Sequence, residues 1–99
     1  MVYSYVLQED AQKDFETALK WYAERSVQAA ENFIKSVEEA LLSVCEYPYM
    51  WRNSYKDYHE LGLKKYPFTI VYSIEAKKKL IVIHAIYHHK RNPKKKYKI

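Results

Sequence analysis

The apolar residues of this chain change their spacing at Pro48. Before it they recur every three or four positions. After it they alternate, or run together, among β-branched and aromatic neighbours. A chain with this switch must combine helices with a sheet, the helices grouped early and most strands late.

Glu9 and Asp10 open the first helix, with acids where the helix dipole favours them. Phe15, Ala18, Leu19 and Tyr22 then form one buried stripe. Ser26 is the expected cap of a second helix. Its apolar face is Ala30, Phe33, Val37, Ala40, Leu41 and Val44, and Glu31, Lys35, Glu38 and Glu39 face water. Pro48 stops it, and the two helices form an antiparallel hairpin. Residues 1–7 read as a strand, as do 58–66, 68–74 and 80–88, with a charged turn at 75–79. The expected fold is α+β: an N-terminal strand, a two-helix hairpin, then a largely antiparallel sheet of three further strands with the helices on one face. Residues 1–99 make one domain, with a basic tail from about residue 92.

Charge divides the chain. Residues 1–50 hold four Lys/Arg and nine Asp/Glu, and residues 51–99 hold thirteen and three. A basic second half points to a polyanion or an acidic partner. Gly62 is the only glycine, which excludes a glycine-rich phosphate loop. Cys45, the only cysteine, falls in an apolar helical pattern and reads as a buried, inert thiol. No apolar run is long enough to cross a bilayer, and no secretory leader is evident; a cytoplasmic location is expected.

The last strand carries the most chemistry. Strict alternation puts Ile81, Ile83, Ala85 and Tyr87 on one face, expected under the helices. Leu80, Val82, His84, Ile86 and His88 fall on the other, expected to be an open concave face. The strand then delivers His88-His89-Lys90-Arg91-Asn92-Pro93 and Lys94-Lys95-Lys96-Tyr97-Lys98 to one end of the sheet.

The order of elements, the segment Leu63-Lys64-Lys65-Tyr66-Pro67-Phe68-Thr69-Ile70-Val71-Tyr72 and the terminal His88-x-x-Arg91-x-Pro93 resemble the RelE/ParE superfamily of bacterial toxins. The resemblance spans essentially the whole chain. It implies the toxin of a type II toxin–antitoxin operon, neutralised by a cognate acidic antitoxin whose extended C-terminal segment wraps it. RelE-like members cleave mRNA on the ribosome without a metal; ParE-like members bind and poison DNA gyrase. No cofactor is implied. Thr69 stands where RelE-like nucleases commonly carry an arginine, and the His-x-x-Arg-x-Pro ending is closer to ParE-like members. The resemblance therefore leans to gyrase binding, with ribosome-dependent RNA cleavage as the alternative.

Each mechanism has its residues. Cleavage needs proton transfer and cations around a phosphate. His88 would supply the first, with Glu60 as an alternative base; Arg91 with Lys64 or Lys65 would supply the second. Tyr97 would position a nucleotide. Target binding without chemistry would use Lys64, Lys65, Arg91, Lys94, Lys95, Lys96 and Tyr97. Tyr47, Tyr49, Trp51 and Tyr55 would either anchor a partner or close the core. A metal site at His84, His88 and His89 lacks acids or thiols at suitable spacing. The second helix is too acidic to read DNA.

Overall fold

In the computed structural model, residues 3–90 are described. Strand β1 (Ser4–Leu7) leads into helices α1 (Glu9–Ala23) and α2 (Val27–Glu46). Four strands follow: β2 (Arg52–Tyr55), β3 (Tyr58–Gly62), β4 (Phe68–Glu75) and β5 (Leu80–His88). The helices form where the apolar stripes require. Ser26 caps α2 by accepting the Ala29 N–H at 2.9 Å, which satisfies one of the donors a helix start leaves unpaired. The reversal between helices is tight, with Tyr22 O accepting from both Arg25 N and Ser26 N. After α2 ends, the Pro48 carbonyl accepts the Tyr72 hydroxyl at 2.6 Å, which ties the helix exit to the middle of the sheet. Burial pushes the Tyr72 phenol up to about 12.

The sheet runs β1-β5-β4-β3-β2, with β1 parallel to β5 and the other neighbours antiparallel. It has one strand more than expected. Arg52-Asn53-Ser54-Tyr55 shows neither an apolar run nor alternation, and pairs with β3 only through a hairpin whose Lys56 takes the left-handed conformation (φ 49°). β3 also stops at Gly62, short of the expected residue 66, because the backbone turns at Leu63–Pro67 to begin β4.

Side-chain alternation along β5 fails at His84. Tyr72 pairs with Ile83 but Val71 pairs with Ala85, so His84 is an extra residue. Such a bulge reverses the facing of everything beyond it. Phe68/His88, Ile70/Ile86, Tyr72/Ile83 and Ile74/Ile81 form one set of cross-strand pairs; Thr69/Tyr87, Val71/Ala85 and Ser73/Val82 form the other. The first set joins the helix-side core, which also holds Phe33, Val37, Leu41 and Val44. The expected facing is thus right for Ile81 and Ile83 and reversed for Ala85, Ile86, Tyr87 and His88.

Phe33 of α2 is the hub of the core. Its ring lies 4.9–5.8 Å from those of Phe15, Tyr22, Tyr66 and Phe68, and it is fully buried. α1 also completes the sheet. β1 ends opposite Ile83, and Asp14 Oδ2 accepts the N–H of Ile86 at 3.0 Å, supplying a partner that the short strand does not.

Candidate functional site

His88 does not share a face with His84. It stands on the helix side, its ring 4.9 Å from Phe68, and lines a cavity of about 380 Å³ with Asp14, Ala18, Trp21, Tyr22 and Pro67. His88 Nδ1 accepts the N–H of Lys90 at 3.0 Å. The imidazole therefore faces a mainly apolar hollow against α1 rather than an electropositive one.

The helix-free face holds different chemistry. Val71, Ala85 and Tyr87 form a small buried cluster with Tyr58 packed on it. Glu60, directly across from Val71, lies on the same face, opposite to His88. Its carboxylate is 5% exposed and accepts from Arg52 Nη2 at 2.7 Å, while the Arg52 side chain is 71% exposed. An acid so held is a structural ion-pair partner before it is a base. His84 projects to this face too, with Nε2 2.7 Å from Ser73 Oγ and its ring edge-on to Tyr58. Burial pushes its pKa below 6.5, which favours the neutral ring. Thr69 bonds His89 Nε2 at 2.9 Å, so the residue replacing the arginine of RelE-like nucleases instead fixes the strand exit.

Lys64 and Lys65 belong to neither place. They line a third hollow, of about 710 Å³, between α2 and the β3–β4 connection. Lys35 joins them from α2, and Trp51 contributes from the chain before β2. Of the aromatic group after α2, Trp51 packs on the core, while Tyr47 and Tyr49 are exposed and Tyr55 stacks beside Tyr58. Cys45 is buried, and burial raises its thiol pKa, as an inert cysteine requires.

The sequence candidates are therefore distributed over three surfaces. Arg91, Lys94, Lys95, Lys96 and Tyr97 lie outside the described residues. Sequence reasoning missed Asp14 as the partner of Ile86, the Ser73–His84 pair, and Lys35 as a companion of Lys64 and Lys65. Only the last left a signal. Asn32, Ser36, Glu39 and Ser43 recur at helical spacing beside the apolar stripe, and Lys35 adjoins them.

Two helices on one face of a five-stranded mixed sheet define the RelE/ParE type of fold, and solved structures share it. The chain is similar to the chromosomal ParDE toxin–antitoxin system of P. aeruginosa (19% identity, TM-score 0.62, 88% of this chain and 96% of the other covered). It is also similar to the isolated E. coli RelE toxin (15%, 0.62, 95% and 92%) and to the intact E. coli RelBE toxin–antitoxin complex (16%, 0.63, 90% and 99%). None of the curated proteins compared with the chain matches it. Residues 5–93 match the family described as the ParE toxin of type II toxin-antitoxin system, parDE. The chain belongs to that family, and is the toxin component of a type II toxin–antitoxin system.

Proposed function

We propose that this toxin acts in the cytoplasm by binding and poisoning DNA gyrase, with no bond-breaking chemistry of its own, and that a cognate acidic antitoxin silences it. The observation that carries this reading is the match to the ParE family across residues 5–93. The site geometry supports it. His88 and Glu60, the two proton-transfer candidates, are on opposite faces of the sheet, and Lys64 and Lys65 line a cleft that neither of them enters. Among the described residues, His88 and the lysines do not gather around one phosphate-sized point. Binding needs no such convergence; it needs an exposed, electropositive surface, and the segment Arg91 to Lys98 supplies the charge. Solved ParDE and RelBE assemblies support the antitoxin, and the basic second half suits an acidic, partly disordered one.

Induction in cells tests the target. Filamentation with DNA damage, and a stabilised gyrase–DNA cleavage complex with purified components, is the expected result. Rapid loss of translation with mRNA cut at ribosomal positions would replace it with RNA cleavage. His88→Ala and Arg91→Ala would then each lower cleavage about a hundredfold.

A further inference from the structure

The cleft between α2 and the β3–β4 connection combines three kinds of group. Lys35, Lys64 and Lys65 give it three ammonium groups against the single carboxylate of Glu39. Asn32, Ser36 and Ser43 add short donors along the wall formed by α2. Gln28 Nε2 donates to Asn32 Oδ1 at 2.9 Å, which leaves the Asn32 amide nitrogen as the donor for a ligand. Trp51 and Tyr66 supply flat apolar surface, and both also pack on the core, so they are held in place without a ligand. His59 fixes the Trp51 backbone further, with Nδ1 3.0 Å from its carbonyl oxygen.

From this combination we propose that the cleft binds a nucleoside di- or triphosphate. The lysines take the phosphate oxygens, assisted by the α2 hydroxyls and amide. The base lies against Trp51, where stacking needs no particular base identity. Glu39 accepts from sugar hydroxyls. The size agrees: about 710 Å³ is far more than one inorganic phosphate fills, and falls within the range of small-ligand clefts. Charge alone would suit an acidic peptide equally. The aromatic wall and the lone carboxylate favour a ligand with a planar ring and hydroxyls as well as negative charge. This inference does not depend on which target the toxin attacks.

Tryptophan fluorescence tests it on the purified full-length chain. The chain has two tryptophans, so a Trp21→Phe background leaves Trp51 as the only reporter. Adenosine triphosphate is expected to quench it saturably. Pyrophosphate is expected to compete with little quenching of its own, and adenosine to bind at least about tenfold more weakly than the triphosphate. Lys35→Gln, and the pair Lys64→Gln with Lys65→Gln, should each weaken binding roughly tenfold or more without changing the melting curve. Lys77→Gln with Lys78→Gln, in the turn between β4 and β5, should leave affinity unchanged; an equal loss there would show that bulk charge alone attracts the anion, and would overturn the proposal. Absence of saturation, equal binding of adenosine, or stronger competition by a glutamate-rich peptide would also overturn it.

Discussion

At His84 a single extra residue decides what the last strand presents. The bulge places this ring on the helix-free face against Ser73 and Tyr58, and burial lowers its pKa. An unfolded chain takes up this proton near pH 6.5, before the folded chain does. The unfolded state then binds more protons, so stability falls as pH drops from 6.5 towards the folded value, and is level above 6.5. Thermal unfolding followed across that range should show the loss in the wild type, and His84→Asn should remove it; a variant with the same acid loss would assign the effect to another histidine. Glu60 makes a second residue-scale case. Its buried carboxylate receives a charge-assisted bond from an arginine that is itself mostly in water. Arg52→Ala should destabilise by about 1–3 kcal/mol, towards the low end because water replaces part of the guanidinium. Arg52→Ala combined with Glu60→Gln should cost less than the two separate losses added, which denaturant unfolding of the double-mutant cycle measures.

Among the elements, the helical hairpin is held by one aromatic hub. Phe33 is buried among four rings contributed by α1, the β3–β4 connection and β4. Phe33→Ala should therefore cost about 3–5 kcal/mol in chemical denaturation, whereas truncating the exposed Leu42 on the same helix should cost about 0.5 kcal/mol or less. This hub was legible in the sequence because helical periodicity is local: Phe15, Tyr22 and Phe33 stand at positions that only the buried stripe explains. The Ser26 cap and the facing of Ile81 and Ile83 were legible for the same reason. The facing of His88 was not. A bulge arises from pairing between strands, and nothing in Leu80-Ile81-Val82-Ile83-His84-Ala85-Ile86-Tyr87 marks which residue will be left over. β2 was hidden similarly, since a polar four-residue edge strand exists only through its neighbour β3. Asp14 shows the cost of such long-range dependence. It serves a backbone N–H 72 residues away, and Asp14→Ala should destabilise by about 1–3 kcal/mol. The Ile86 amide should then exchange with solvent faster than its neighbours, as hydrogen exchange would show.

Across the whole molecule, charge is separated along the sequence: the first fifty residues have nine acids to four bases, the remainder thirteen bases to three acids. The acids accompany the helices, and the bases follow the sheet and its exit. An antitoxin or a target of negative charge would associate faster with such an arrangement. The test separates long-range attraction from specific contact. Ending the chain after Pro93 removes Lys94, Lys95, Lys96 and Lys98, four of its 17 Lys/Arg. If these lysines steer, the truncated chain should associate with antitoxin, and with gyrase as the proposed target, about tenfold more slowly at low salt. The difference should then nearly vanish near 1 M salt, where screening shortens the reach of charge to about 3 Å. If instead Tyr97 and its neighbours make close contacts, the loss should appear mainly in the dissociation rate and persist at high salt. Stopped-flow association measured against ionic strength distinguishes the two, and an unchanged association rate together with full toxicity after truncation would show that the terminal lysines contribute to neither step.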